Sequence, residues 1–340
     1  MALLLVFVAL HSTIGISVQS ASNKTNCDFV KPAKSCIQHS CGQSPCTMLC
    51  GLTVQYDTCQ QSCDSRIVEC DALNCVASRS CSQICSRSNC GNITCDAIDC
   101  TQTCSTGNCS TMACPHKSTK TCSQLYGKEM TCKANSCTQV CSDNYCQMAC
   151  PNEGYNCTQA AVTADTAMEC ERAVCQQTCT SNKEQCNMKC ISSEVAGNCQ
   201  QACVTSTCGS MTCESSNCTQ VCVSGECNET CATGVKYCQQ VAVEANVTMK
   251  CNANVCKQVC TTGNCSMTCS SSVKKCHKVC SSGNCLLKCD SENCMVDCFG
   301  KSTCMKDSTN NKNNVATKSL HMWFSIFSNF GLAFITYALG

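Results

Sequence analysis

The sequence contains few of the side chains from which ordinary protein cores are built. Aromatic residues make up 4% of its 340 residues, there is one Trp, and only six Leu lie between residues 21 and 308. Charged residues are also sparse, at 14%, and the formal net charge is +1 at pH 7. This balance argues against a nucleic-acid partner and against an acidic surface that nucleates mineral. The fold must therefore be stabilised by something other than large apolar side chains.

Motifs of catalysis and of metal binding are missing too. The sequence has no nucleophile elbow, no Gly-rich phosphate loop and no metal triad, and its Asp and Glu residues are scattered. Cysteines never occur as Cys-x2-Cys, Cys-x-Cys or Cys-Cys, and outside the terminal segments only His39, His116 and His277 remain. Zinc sites use closer ligand spacings than these. We therefore predict a non-enzymatic protein with no catalytic, cofactor-binding or metal-binding residues.

Fifty cysteines dominate what the sequence does contain, and all of them lie between Cys27 and Cys304. Such a density is typical of a disulfide scaffold that forms in an oxidising compartment. The N-terminal residues 1–20 include the apolar run LLLVFVAL and end in small residues before Ala21, although a charged leader is missing. This pattern predicts a signal peptide and a secreted, extracellular protein.

A single unit repeats along almost the whole chain, and residues 137–157 show it best: CTQVC SDNY CQMAC PNEGYN C. Two Cys-x3-Cys segments, the first with a central Gln and the second with a central Met, are joined by a short turn. Fourteen copies start between Cys36 and Cys294, with a mean period of about 20 residues. Gln occupies the position two after the first cysteine in twelve of the fourteen copies; Lys278 and Val296 are the exceptions. A period of this size indicates a solenoid.

Alternation within each segment favours strands. In Cys-x-Gln-x-Cys, the two cysteines and the Gln share one face of a strand, and the positions between them hold Thr, Ser, Val and Asn. We predict an all-β fold, a disulfide-stapled β-solenoid of about 14 coils of about 20 residues each. The alternative is a series of disulfide-rich short helical hairpins, because Cys-x3-Cys also places two thiols on one helical face. Segments of five residues between four-residue turns are, however, too short for stable helices.

Irregular copies indicate which cysteines pair. Three copies, which begin at Cys122, Cys157 and Cys238, lack both the second and the third cysteine. Because these two disappear together, we predict that they bridge within one coil. The first and fourth cysteines must then pair with each other or across the other turn, and the sequence does not choose between these. The predicted within-coil bonds include Cys141–Cys146, Cys222–Cys227 and Cys260–Cys265.

Buried Gln side chains require hydrogen-bonding partners. We predict that Gln139, Gln159, Gln177, Gln201 and Gln220 stack one coil apart and bond to each other along the axis. The alternative is that Gln only tolerates a crowded polar position. Met side chains in the second segment would face this stack: Met148, Met168, Met188 and Met211.

The chain divides into five parts on this interpretation. Residues 1–20 are the signal peptide, 21–80 an irregular N-terminal cap with the first repeats, and 81–304 the regular array. Residues 305–321 form a polar spacer and 322–340 an apolar tail. Small residues, a polar spacer and a terminal apolar tail match the pattern of a glycosylphosphatidylinositol (GPI) anchor, with Ser308 as the attachment site. Asn310, Asn311 and Asn314 are other candidates for this site. The alternative for the tail is a short transmembrane helix.

Eight Asn-x-Ser/Thr sequons are distributed over the length of the chain, and they predict a glycoprotein. Some of them arise by chance in a chain rich in Asn, Ser and Thr. They lie at Asn23, Asn92, Asn108, Asn156, Asn217, Asn228, Asn246 and Asn264.

The signal peptide, the Cys-x-Gln-x-Cys copies over residues 36–304 and the GPI-like tail together resemble cysteine-rich secreted proteins of cnidarians. Some of those proteins occur in the organic matrix of coral skeleton. The resemblance implies a structural matrix protein, with a role in biomineralisation, and transfers no functional residues. Its partners would be matrix or cell-surface macromolecules, and the membrane through a lipid anchor. The alternative function is a cell-surface adhesion or receptor-type binding module.

Overall fold

The computed structural model describes residues 24–26, 34–39, 46–51, 54–64, 69–105, 108–142, 145–162, 165–180, 185–192, 194, 196–204, 207–300, 302–306 and 315–316. All regular structure in these residues is β, and none of it is helical. The predicted all-β solenoid is therefore confirmed, and the helical-hairpin alternative is wrong. The residues form about 12 turns, slightly fewer than the 14 coils expected.

Each coil contributes one strand to each of two stacks, here called the Gln sheet and the Met sheet. The Gln sheet contains β2 (Ser35–His39), β4 (Tyr56–Asp64), β7 (Asp99–Cys104), β9 (Thr121–Leu125), β11 (Ser136–Cys141), β13 (Asn156–Ala161), β15 (Val174–Cys179), β17 (Asn198–Cys203), β21 (Val255–Thr262), β23 (Lys275–Cys280), β25 (Cys294–Cys298) and β27 (Val315–Ala316).

The Met sheet contains the return strand of each coil. Its members are β1 (Lys24–Asn26), β3 (Cys46–Cys50), β6 (Asn89–Asp96), β8 (Asn108–Cys114), β10 (Glu129–Cys132), β12 (Tyr145–Cys150), β14 (Asp165–Cys170), β16 (Cys186–Ile191), β18 (Cys208–Glu214), β22 (Asn264–Cys269), β24 (Asn284–Cys289) and β26 (Thr303–Lys306). Three longer strands pass through the turn and belong to both sheets: β5 (Cys70–Ser86), β19 (Asn217–Cys231) and β20 (Tyr237–Cys251).

Neighbouring coils pair parallel and in register. Along the Gln sheet, Cys137 lies opposite Cys157 and Gln139 opposite Gln159. Along the Met sheet, Met148 lies opposite Met168. Burial alternates strictly in β11, where the cysteines and the Gln are buried and the residues between them are partly exposed. The period-2 pattern of the sequence thus sets which side chains face inward.

An unbroken ladder of Gln amides runs along the axis of the rod. Nε2 of each Gln donates to Oε1 of the Gln one coil earlier, at 2.8–3.0 Å, over twelve residues from Gln38 to Gln258. The same Nε2 atoms also reach carbonyl oxygens of the Met sheet; Gln177, for example, donates to Met168 O at 3.1 Å and Lys189 O at 3.0 Å. The predicted Gln stack is confirmed, and it also joins the two sheets.

Two groups of buried residues flank this ladder. One contains the second and third cysteines together with the Met column, including Met148 and Met168. The other contains the fourth and first cysteines with small turn residues such as Ala97, Ala134 and Ala253. The core is therefore a narrow strip of sulfur, amide and thioether groups instead of a conventional apolar cluster.

Candidate functional site

The first column of disulfides joins the second and third cysteines of one coil. Three coils lack this pair, and the coil that begins at Cys157 shows which side chains replace the two cysteines. Ala161 and Thr166 lie opposite Cys141 and Cys146 of the coil before, and both are buried. The structure contains the three within-coil bonds expected from the sequence: Cys141–Cys146, Cys222–Cys227 and Cys260–Cys265.

The second column joins the fourth cysteine of a coil to the first cysteine of the next, across the other turn. Examples are Cys150–Cys157 and Cys213–Cys218. The sequence left this choice open, because the first and fourth cysteines of one coil lie at the same end of it. Among the described cysteines none is free.

Sulfur atoms of neighbouring rungs come close enough to resemble metal sites. Sγ atoms of Cys85, Cys104 and Cys109 all lie within 4.8 Å of one another. These atoms belong to the bonds Cys85–Cys90 and Cys104–Cys109, so they offer no thiolate ligand. The described sulfur groups of this kind are stacked disulfides, and they serve the fold.

Lys278 occupies the Gln position at the C-terminal end of the ladder, opposite Gln258. Its side chain is fully buried, and Nζ donates to Met267 O at 2.7 Å and to Lys288 O. Burial lowers the pKa of Lys278 from 10.5 to about 7, and Asp290 opposes this shift. In the sequence, Lys278 is an exception to the Gln pattern. Its side chain is buried because it occupies the same inward-facing position of the strand as Gln258 in the coil before.

Glu229 is the corresponding exception in the Met column, where it lies between Met211 and Met249 on neighbouring coils. It is fully buried, and neither carboxyl oxygen has a hydrogen-bonding partner. Burial raises the pKa of Glu229 well above its usual value of 4.5, because the interior disfavours the charged carboxylate. We did not predict a role for Glu229 from the sequence. The signal was its position two residues before the fourth cysteine, which is the position of the Met column.

Arg172 is a third buried ionisable group, located in the turn between β14 and β15. Its Nη1 donates to Ala134 O at 2.8 Å and its Nη2 to Cys132 O at 2.7 Å, while Nε has no partner. Desolvation lowers the pKa of Arg172, and Glu153 raises it. The guanidinium passes Gly154, where an added Cβ would lie 1.6 Å from Nη1. Arg172 therefore staples turns that are two coils apart.

Seven of the eight sequon asparagines lie in the described residues, and all seven are exposed. Asn156 and Asn217 directly precede the first cysteine of a Gln-sheet strand, and Asn92 and Asn228 point outward from the Met sheet. The other three lie at the turn that enters the Met sheet: Asn108, Asn246 and Asn264. Asn23 and Ser308, like the signal peptide and the apolar tail, lie outside the described residues, so these sites remain predictions.

An open groove of about 450 Å³ follows that turn near the C-terminal end of the rod. Its floor is a row of asparagines: Asn264 Nδ2 donates to Asn246 Oδ1 at 3.0 Å, and Asn284 Nδ2 to Asn264 Oδ1 at 3.0 Å. The exposed side chains of Leu286 and Met305 line its end. Amide groups therefore lie beside apolar side chains in this groove, and two of its asparagines, Asn246 and Asn264, belong to predicted sequons.

No described helix has the length and apolar character needed to cross a membrane. Comparison with known protein families, curated proteins and solved structures finds no match.

Proposed function

We propose that the protein is a non-enzymatic extracellular structural protein: a glycosylated, disulfide-stapled rod that is tethered to the cell surface or shed into the matrix. The observation that carries the proposal is the uniformity of the stack. The Gln ladder runs without interruption over twelve coils, and disulfides line both ends of the coil cross-section. Extensive disulfide bonding is consistent with an extracellular protein.

A rod of this kind acts through many weak contacts along its length. Its outward residues are mostly Ser, Thr, Asn and Gln, together with seven exposed sequon asparagines. Partners would be matrix or cell-surface macromolecules, and attachment to the membrane would run through a lipid at Ser308. A role in biomineralisation rests only on the resemblance to coral matrix proteins.

Deletion of two central coils, residues 199–237, tests the structural role. We expect the variant to fold, to be shorter by about 10 Å in small-angle scattering, and to assemble into matrix less efficiently but not to lose assembly. Substitutions in one coil that abolish a saturable binding activity would contradict the structural role and favour the adhesion or receptor function. The groove beside Leu286 and Met305 is the specific feature that supports this second candidate.

Treatment of intact cells with phosphatidylinositol-specific phospholipase tests the anchor separately. We expect the protein to be released into the medium, and Ser308→Pro to reduce the anchored fraction. Detection of Trp323 in peptides of the purified mature protein would contradict the proposed removal of the tail.

A further inference from the structure

One outer face of the rod differs in composition from the rest of its surface. The outward residues of the Gln sheet form two columns, on either side of the buried Gln. Over ten coils, column A contains Gln60, Ser82, Thr101, Ser123, Thr138, Thr158, Gln176, Gln200, Thr219 and Gln239. Column B contains Ser62, Ile84, Thr103, Leu125, Val140, Ala160, Thr178, Ala202, Val221 and Val241. We call these twenty residues the bare face.

The twenty residues of the bare face include no charged residue. Charged or ionisable residues on the same outward side include Asp99, at the edge of the sheet two residues before Thr101, and Lys257 and His277 in the continuation of column A. The outer face of the Met sheet, by contrast, carries an ion pair between Lys189 and Glu169 at 2.9 Å in the middle of the rod. Column A is uniformly polar, while column B is mainly aliphatic.

The bare face also contains no sequon asparagine. Of the described sequon asparagines, five lie on the Met sheet or at the turn that enters it. Asn156 and Asn217 lie at the edge of the Gln sheet, beside column A and away from column B. Glycans at Asn156 and Asn217 would border column A, and the other glycans would lie on other surfaces, so column B would stay accessible. A surface whose own residues carry neither charge nor sugar has a low desolvation cost when it is covered.

We propose that the bare face binds the bare face of a second copy of this chain, with the two rods antiparallel. Two identical sheets can face each other through a twofold axis in the plane between them. If that axis runs along the rods, column A of one copy faces column B of the other, and hydroxyl and amide groups meet aliphatic ones. If it runs across the rods, column A faces column A and column B faces column B. Only the antiparallel arrangement pairs aliphatic residues with aliphatic residues along the whole face.

The area is sufficient for a reversible dimer. Ten rungs at about 4.8 Å span about 43 Å, and the five residues from Cys to Cys span about 13 Å across. The face thus covers about 560 Å² on each copy, or about 1,100 Å² in total, which exceeds the roughly 1,000 Å² expected of a specific interface. The antiparallel twofold axis would pass between the coils that begin at Cys137 and Cys157, so that Val140 meets the partner's Ala160.

Sedimentation of the full-length secreted protein as a function of concentration tests the association. We expect a monomer–dimer equilibrium, and Val140→Lys and Val221→Lys should each weaken it at least about tenfold. Ala149→Lys is the matched control: it places the same charge in the same coil as Val140, but on the outer face of the Met sheet. It should leave the equilibrium unchanged. Circular dichroism of each variant confirms that the fold is retained.

Cross-linking of lysines in a mixture of isotope-labelled and unlabelled protein tests the orientation. In the antiparallel dimer, Lys257 of one copy lies near the coil that begins at Cys36 of the other, so we expect intermolecular links between Lys257 and Lys34. The two residues of one copy are about 50 Å apart along the rod, too far for an intramolecular link. Links between Lys257 and Lys257 would overturn the antiparallel arrangement.

A protein that remains monomeric at all concentrations would overturn the proposal, and so would a Val140→Lys effect no larger than that of Ala149→Lys. Monomers that instead adsorb to an insoluble polysaccharide through the bare face would also overturn it. The structural role proposed above does not depend on this dimer, because a monomeric rod could still be a matrix component.

Discussion

At the scale of single residues, each buried Gln amide bonds in two directions at once. Gln159 Nε2 donates along the axis to Gln139 Oε1 at 2.9 Å and across the coil to Glu169 O at 3.1 Å. Gln177 Nε2 in turn donates to Gln159 Oε1 at 2.8 Å. A polar side chain can therefore fill the centre of the rod without leaving a buried group unpaired.

Replacement of Gln159 by Leu should lower the free energy of unfolding by about 1–3 kcal/mol. The physical reason is that Gln139 Oε1 loses its N–H donor, whereas Gln177 Nε2 keeps its bonds to Met168 O and Lys189 O. Hydrogen exchange of the flanking strands measures the effect. The control is Thr158→Val, a change at the adjacent outward position. Equal protection in the two variants would contradict a stabilising role for the ladder.

The stability of the C-terminal coils should depend on pH through Lys278. Its pKa is about 7 in the folded protein and 10.5 as a free side chain, so unfolding takes up a proton between these values. The destabilising contribution is therefore complete below pH 7 and disappears as pH rises to 10.5. Lys278→Gln should raise exchange protection at pH 6 and flatten its pH dependence, because the amide can extend the ladder to Gln258. Lys288→Gln, an exposed control on the facing strand, should do neither.

Glu229 should show a pH dependence of the opposite sign. Its raised pKa means that folding is most favourable below pH 4.5, where both states are protonated, and that stability is lost as pH rises above this value. Glu229→Met should raise the free energy of unfolding at pH 7 by at least about 1–3 kcal/mol, since it removes two unpaired oxygens. The gain should shrink at pH 4. Denaturant titration with intact disulfides measures it, and a constant difference at both pH values would contradict this interpretation.

At the scale of single elements, the two disulfide columns have different tolerance for loss. Three copies lack the within-coil pair in the sequence, and the coil after Cys222–Cys227 replaces it by the buried Ala242 and Val247. The described strands still pair in register at that position. The bond across the other turn joins consecutive coils, and it is present at each described turn from Cys50–Cys59 to Cys289–Cys294.

Replacement of Cys222 by Ala together with Cys227 by Val should therefore be tolerated. The free energy of unfolding should fall by about 2 kcal/mol, the entropic contribution of so short a loop. The matched variant Cys231→Ala with Cys238→Val removes a bond of the second column. It should expose more backbone amides to hydrogen exchange, because it removes the disulfide that cross-links two consecutive coils. The secreted yield and exchange map of both variants measure the difference. Equal effects would show that the columns are equivalent.

At the scale of the whole molecule, stability is distributed along one dimension. Strand pairing joins each coil to the coils directly before and after it, and a longer contact such as that of Arg172 reaches only two coils away, so local contributions to stability add along the rod. Large apolar side chains are rare, and most inward positions hold Cys, Gln or Met. The disulfides therefore contribute the stability that a larger apolar core contributes in other proteins.

Complete reduction and alkylation should unfold the rod without denaturant. With about 2 kcal/mol lost per bond, the Gln ladder and the Met column cannot compensate for the conformational entropy of the chain. Far-ultraviolet circular dichroism should lose its β signal, while an unreduced sample at the same pH and temperature should keep it. A β signal that survives full alkylation would show that the ladder alone maintains the fold.

The sequence by itself determined the architecture. Its period of about 20 residues, the alternation of cysteine with Gln or Met, and the joint loss of two cysteines predicted a β-solenoid, the inward Gln ladder and the within-coil pairs such as Cys141–Cys146. These properties follow from local spacing, because side chains two residues apart share a face of a strand whatever surrounds it.

Only the tertiary structure decided the partners of the first and fourth cysteines. The candidate partner in the same coil and the one in the neighbouring coil both lie at the same end of the coil, so local spacing does not separate them. It also decided the environment of Glu229, Lys278 and Arg172, since burial depends on the coils above and below. The bare face likewise exists only in the stack: its residues are about 20 positions apart in the chain. Register between coils brings them into two continuous columns.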